Sequence, residues 1–112
     1  METKKNIVDN WLPRYTGTEL ADFGKYILLT NFRGYLTVFA QLNDCEIKGS
    51  DKAMPNATHD GITMINFGIG SANAALIMDL LTAIEPKACL FLGKCGGLKK
   101  KNNLGDFILP IA

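Results

Sequence analysis

The sequence predicts a three-layer α/β fold built around a mixed, mostly parallel central sheet. Residues 26–30, 62–67 and 88–92 are short, continuous apolar runs. Strands that are buried on both faces of a parallel sheet have this continuous pattern, whereas half-exposed strands alternate. Helical patterns lie between the runs, at residues 33–42 and 71–84. Strands that alternate with helices predict a parallel sheet covered by helices.

The composition is that of one soluble globular domain. Of the 112 residues, 47% are hydrophobic and 21% are charged, which is typical of a packed domain. The 12 basic and 11 acidic residues nearly cancel, which argues against DNA or RNA as a partner. No apolar run approaches the roughly 20 residues that span a bilayer, so we expect no membrane partner.

The cysteines indicate a reducing compartment and no structural metal. Cys45, Cys89 and Cys95 are odd in number and form no CxxC pair, which argues against a disulfide framework and against zinc. The polar amino terminus is not followed by the apolar segment of a secretory signal. We therefore expect a cytoplasmic protein without a structural zinc site.

The chain is expected to begin with a short helix and a loop over residues 1–24, with turn-rich sequence from Pro13 onward. Residues 25–112 are expected to form the first half of an α/β core. Segments 45–47 and 52–54 are candidate edge strands, although the hydrophobic residues of neither segment follow a clear period.

The second half of the sequence has sharper patterns. Ser71 is the expected N-cap of the helix over residues 71–84, and this helix is apolar on most faces, which predicts that other structure covers it. Residues 88–92 are expected to be a buried strand, and residues 107–112 another strand. Because little sequence remains to cover these strands, we expect residues 1–112 to be one truncated domain of a longer protein.

Three loops are expected to meet at the carboxyl edge of the sheet, where open α/β sheets bind their ligands. Glycines there allow a close approach of the backbone to a ligand, and arginine or lysine could bind a phosphate. A plain turn with a serine cap and a solvated arginine are the alternative interpretations. The candidate substrate-binding residues are Thr30, Asn31, Arg33, Gly68, Gly70, Ser71, Lys94, Cys95, Gly96 and Gly97.

No catalytic residue can be identified from the residues alone. His59 is the one histidine and lies in a polar segment, where it is expected to be exposed, so a Cys/His nucleophile is not indicated. No two carboxylates end neighbouring strands, so a general acid and a general base cannot both be identified in this chain. Lys94 remains a candidate for an electrostatic role.

The residues that follow the predicted strands resemble those of the AMP nucleosidase family, within the nucleoside phosphorylase and nucleosidase superfamily. The resemblance extends from about Tyr15 to the last residue and is carried by residues 66–75, 77–81, 91–98 and 104–112. It implies hydrolysis of the N-glycosidic bond of AMP to adenine and ribose 5-phosphate, as part of purine salvage. It implies no metal and no organic cofactor. It also implies a homo-oligomer, commonly a hexamer, with residues 48–58 near a neighbouring subunit.

The resemblance also separates two related activities. Phosphorylases of the superfamily have a small hydroxyl residue in place of Lys94 and an arginine in place of Phe91, so the present pair favours water over phosphate as nucleophile. The family's ribose-binding glutamate and purine-protonating aspartate are expected beyond Ala112, which predicts that this chain is inactive alone. Phosphorolysis and a non-catalytic nucleotide-binding module remain as alternatives.

Overall fold

A computed structural model, which describes residue 1 and residues 3–110, places the three predicted apolar runs in one five-stranded sheet. In these residues the strands are β1 Tyr26–Thr30, β2 Ile47–Lys48, β3 Asn56–His59, β4 Ile62–Asn66 and β5 Ala88–Leu92. The helices are α1 Lys4–Thr16, α2 Arg33–Asn43 and α3 Ser71–Leu80, with 3-10 turns at Leu20–Asp22 and Leu81–Ala83.

The sheet is mixed, in the order β2-β3-β4-β1-β5. Strand β1 is parallel to β4 on one side and to β5 on the other, whereas β3 is antiparallel to β4 and to β2. Thr30 is in register with Asn66 and with Leu92. The three parallel strands therefore end level with one another, and the loops that follow them share one edge.

Helices cover both faces of the sheet, which confirms the predicted three-layer α/β architecture. On one face, Leu12 of α1 and Ile77 of α3 pack with Ile27 and Ile65. On the other face, Leu36 and its neighbours on α2 pack against the sheet. Residues four apart on a helix lie on the same side, which explains why Leu36 and Ala40 are both buried.

Helix α1 continues past the point where the sequence predicted a turn. Pro13 lies inside the helix, which ends at Gly17 with φ of 67° and a hydrogen bond of 2.7 Å from the Gly17 N–H to the Pro13 carbonyl. A proline inside a helix removes one backbone donor. Because Leu12 and Thr16 on the same face are fully buried, tertiary packing outweighs that loss, and the predicted turn at Pro13 is wrong.

Helix α3 differs from its prediction at both ends and in its burial. Gly70, with φ of 102°, occupies the N-cap position, so Ser71 is the first helical residue and the predicted serine cap is wrong. The α-helix ends at Leu80, before the expected residue 84, because the chain tightens into a 3-10 turn. The helix is also less covered than its apolar sequence predicts, since Met78 is 53% exposed.

Strand β5 is an edge strand, and the prediction that it is buried is wrong for the described residues. It pairs with β1 alone, and Leu90 and Phe91 are 48% and 54% exposed. The predicted strand at residues 107–112 is also not observed, because residues 107–110 have no regular structure and are exposed. Its last two residues, Ile111 and Ala112, lie outside the described residues.

The irregular middle of the chain contains the two antiparallel strands. The candidate strand at 45–47 corresponds to β2, although β2 begins only at Ile47, while the candidate at 52–54 is wrong. The second strand is instead β3, where backbone pairing with β4 imposes an extended conformation on a polar sequence. Among the described helices, none has the length and apolar character needed to cross a membrane.

Candidate functional site

Thr30 lies beneath the shared loop edge and shapes it. Its side chain is fully buried, and its hydroxyl accepts a hydrogen bond of 3.1 Å from the Phe32 N–H. Its carbonyl accepts a second, of 3.1 Å, from the Phe67 N–H. Thr30 thus ties the loops after β1 and β4 together, while a direct contact with a ligand stays a prediction.

Asn31, Gly70 and Ser71 line a cavity of about 310 Å³ on the face covered by α3, which we call the α3 cavity. Most of its other lining is apolar, and the rings of Phe67 and Phe91 pack there at 5.9 Å between centroids. Asn31 Oδ1 is buried and accepts no hydrogen bond from the described residues. An apolar cavity with a few polar groups is typical of small-molecule sites. Its lining residues are Leu29, Asn31, Phe67, Gly70, Ser71, Ala74, Met78 and Phe91.

The turn from Gly68 to Gly70 has a conformation that requires glycine. Their φ angles are 90° and 102°, in a region that side chains rarely adopt. The Gly68 N–H donates to Asn66 Oδ1 at 3.2 Å. These local contacts explain the glycines without a ligand, so the proposed ligand contact of Gly68 stays a prediction.

Arg33 lines a second cavity, of about 330 Å³, on the face covered by α2, which we call the α2 cavity. Lys52 and Ser50 also line it, so its polar rim includes two cations. The site residues predicted as one group are therefore divided between cavities on opposite faces of the sheet. The α2 cavity is lined by Arg33, Leu36, Thr37, Ile47, Ser50, Lys52, Ala53, Pro55 and Asn66.

Lys94 lies on the side of α2, over two aromatic rings. Its Nζ is 4.7 Å from the centroid of the Phe32 ring and 5.5 Å from that of Tyr35. Both distances are within the roughly 6 Å range of cation–π contacts. The remaining predicted residues of this loop, Cys95, Gly96 and Gly97, are exposed and have no regular structure.

Phe32 and Tyr35 are not among the predicted site residues, although Arg33 of the same helix is. They are three residues apart at the start of the helix, and their rings contact each other at 5.3 Å between centroids. Residues at this spacing share one helix face. Two aromatic residues on one helix face, next to the end of a strand, could therefore have indicated a binding surface. Their partner Lys94 could not be found in this way, because it is distant in the sequence.

In the part of the chain that the structure describes, the titratable groups form no acid–base pair at the loop edge. His59 is exposed, as expected, and pairs with Ile62 at the amino end of β4, so it lies at the opposite edge of the sheet. All three cysteines are free. Partial burial raises the pKa of the Cys89 thiol above its ordinary value, which disfavours the nucleophilic thiolate. Within residues 1 and 3–110, no three metal-binding side chains cluster.

Comparison with known proteins shows where the resemblance lies. Residues 25–112 match the family model described as the phosphorylase superfamily. The AMP nucleosidases of Escherichia coli K12 and of Escherichia coli O157:H7 are each 28% identical to this chain in an alignment that is 138 residues long. Each alignment covers 90% of this chain and 28% of the relative.

A solved structure extends this similarity to three dimensions. The crystal structure of AMP nucleosidase from Bacteroides thetaiotaomicron VPI-5482 is 64% identical in sequence and has a TM-score of 0.87. The match covers 93% of this chain and 46% of that chain. The present chain therefore spans less than half the length of each of these relatives.

Proposed function

The chain belongs to the phosphorylase superfamily, and from this premise we propose that the protein hydrolyses the N-glycosidic bond of AMP to adenine and ribose 5-phosphate. Its similarity to AMP nucleosidases in both sequence and structure supports this activity. Less than half of each relative's length is matched, so the chain accounts for part of such an enzyme's site. We infer that this part binds and orients the nucleotide.

The observation that carries the proposal is the chemistry at the end of β5. Phe91 presents a phenyl ring packed against Phe67, and a phenyl ring cannot bind inorganic phosphate through hydrogen bonds. Lys94 lies nearby in sequence, with its ammonium held on the side of α2. Phe91 thus offers no group that could bind inorganic phosphate as the nucleophile, whereas Lys94 could bind the phosphate that AMP carries. The pair supports hydrolysis of a phosphorylated nucleoside.

The reaction requires groups that the three loops do not supply. Cleavage of the glycosidic bond builds positive charge on the ribose, and an acid must protonate the leaving purine. Residues 31–33, 67–70 and 93–97 contain neither Asp nor Glu. Amide N–H groups, Asn31, Arg33 and Lys94 are suited instead to an anionic or polar substrate. We infer that carboxylates from outside these loops complete the reaction.

The first prediction concerns the complete product of the gene that encodes this sequence. With AMP and no inorganic phosphate, we expect it to release adenine and ribose 5-phosphate, measured by separating the products chromatographically. Adenosine is expected to be a much poorer substrate because it lacks the phosphate. Formation of ribose 1-phosphate only when phosphate is added would instead establish phosphorolysis. Calorimetric binding of AMP without turnover would establish a non-catalytic module.

The second prediction concerns residues 1–112 expressed alone. We expect no release of adenine from AMP above the background rate, because the loops at the candidate site contain no carboxylate that could protonate the purine. The complete gene product, assayed at the same molar concentration, is the control. Turnover by residues 1–112 alone would show that the acid lies within them.

The cellular setting and assembly are also proposals. We infer that the protein acts in the cytoplasm, in purine salvage, with AMP as a small-molecule partner, since its cysteines are free and its charges nearly balance. We infer that residues 1–112 belong to one domain, because Leu12 of α1 is buried in the same core as the strands. We propose a homo-oligomer, a hexamer as the family resemblance implies. Exposed apolar side chains such as Leu98 and Phe107 are suited to burial against further protein, whether of the same chain or of a neighbouring one.

A further inference from the structure

Within the candidate site, Lys94 makes a contact with Phe32 and Tyr35 that the sequence analysis did not predict. Lys94 belongs to an exposed loop, between Gly93 and Gly96, where a lysine would ordinarily extend into solvent. Its ammonium instead lies within 5.5 Å of two ring centroids. Both aromatic residues are half-buried, and Tyr35 packs against the buried core that contains Leu36 and Met64. Gly93 and Gly96 give the loop backbone of Lys94 conformational freedom, whereas the Tyr35 ring is held by its packing in the core.

The start of α2 fixes the two rings relative to each other. The Tyr35 N–H donates a hydrogen bond of 3.1 Å to the Phe32 carbonyl, closing the first turn. The Phe32 N–H donates in turn to the buried Thr30 hydroxyl. The rings thus contact each other at an angle of 49°, and both are anchored to the end of β1.

The contact holds the ammonium without neutralising it. The ion pairs in the described part of the chain do not include Lys94. A carboxylate partner would occupy the ammonium's donors and cancel its charge, whereas ring faces attract the charge and leave N–H donors available. Arg33, which follows Phe32 directly, provides a second cation at the same end of α2.

We infer that Phe32 and Tyr35 are positioning residues, forming a seat that holds the Lys94 ammonium ready to bind the phosphate of a nucleoside monophosphate. The inference rests on the proposed function, because AMP supplies that phosphate. The seat makes the site select a phosphorylated nucleoside over the unphosphorylated one. Without it, the lysine would lose conformational freedom each time a substrate bound, which weakens binding.

The kinetic test uses Phe32→Leu and Lys94→Met, separately and together, in the complete gene product. A cation–π contact near the surface is worth roughly a two- to five-fold change in affinity. We therefore expect Phe32→Leu to raise KM for AMP about three-fold, with little change in kcat. In the Lys94→Met background, Phe32→Leu is expected to have no further effect on KM. Phe32→Tyr, which retains a ring, is expected to restore most of the affinity.

Two kinetic outcomes would contradict the inference that Phe32 and Tyr35 position Lys94. In the first, Phe32→Leu raises KM as much in the Lys94→Met background as in the unmodified protein, which would mean that Phe32 acts only through packing. A fall in KM for AMP in Phe32→Leu would mean that the rings withdraw the lysine from the substrate.

A spectroscopic measurement tests the contact between Lys94 and the two rings independently of the proposed activity. The Lys94 methylene protons next to the ammonium are expected to resonate upfield of those of other lysines, because they lie near two ring faces. Selective isotopic labelling of lysine reports this shift, and Lys94→Met identifies the signal. The shift should diminish in Phe32→Leu, and an ordinary shift in the unmodified protein would overturn the seat. A shifted signal in a protein that does not hydrolyse AMP would support the seat and contradict the proposed function.

Discussion

Replacing Lys94 by methionine is expected to lower kcat/KM for AMP by about 30-fold, within the range of about 10- to 150-fold that a lost hydrogen bond to a charged group produces. Methionine retains much of the length of lysine but has neither charge nor N–H donors. The ring contacts of Lys94 place its ammonium at the end of α2 that also carries Arg33. A phosphate bound there would lose one of its cations.

Product inhibition shows whether the loss concerns the phosphate. In Lys94→Met, the inhibition constant of ribose 5-phosphate should rise by a similar factor, and that of adenine should not change. Lys100→Met is the matched control, because Lys100 is an exposed lysine of the same region and is outside the ring contacts. If adenine inhibition weakened as much as ribose 5-phosphate inhibition, Lys94 would not be a phosphate contact.

Replacing Asn56 by alanine is expected to lower the free energy of unfolding by about 4 kcal/mol, because several buried polar groups would lose their partners at about 1–3 kcal/mol each. Asn56 is fully buried at the start of β3. Its Nδ2 donates to the carbonyls of Thr16 at 2.8 Å and Met54 at 3.1 Å. Its Oδ1 accepts a hydrogen bond of 2.7 Å from the Thr18 hydroxyl.

Urea unfolding followed by circular dichroism measures this loss as a lower midpoint at an unchanged slope. Asn10→Ala is the matched control, since Asn10 is an exposed asparagine on α1 and its replacement should change stability by less than about 0.5 kcal/mol. A loss below about 1 kcal/mol in Asn56→Ala would show that other groups satisfy the Thr16 and Met54 carbonyls.

Much of the fold could be predicted because its strongest signals are local. Strands β1 and β5 have the predicted bounds, and α2 differs from its prediction by one residue. A continuous apolar run or a helical period appears within a few residues of sequence. The antiparallel strand β3 was missed because the polar segment Asn56–His59 lacks such a signal and becomes a strand only by pairing with β4.

The sequence was enough to predict where the candidate site lies, but not how its residues are arranged in space. Placing three loops at one edge follows from strand direction alone, and the level register of Thr30, Asn66 and Leu92 agrees with it. The division of Arg33 and Ser71 between two cavities depends on which face each helix covers. A sequence pattern gives a helix an apolar side but does not assign it to a face of the sheet.

The sequence by itself determined the α/β class, the three parallel strands and the edge where their loops meet, because hydrophobic periodicity and strand direction are encoded locally. Only the tertiary structure decided which distant residues meet. It made β5 an exposed edge strand, and it placed Lys94 over Phe32 and Tyr35, about 60 residues earlier in the chain. The physical reason is that such contacts depend on strand order and loop path, which the packing of the whole sheet sets.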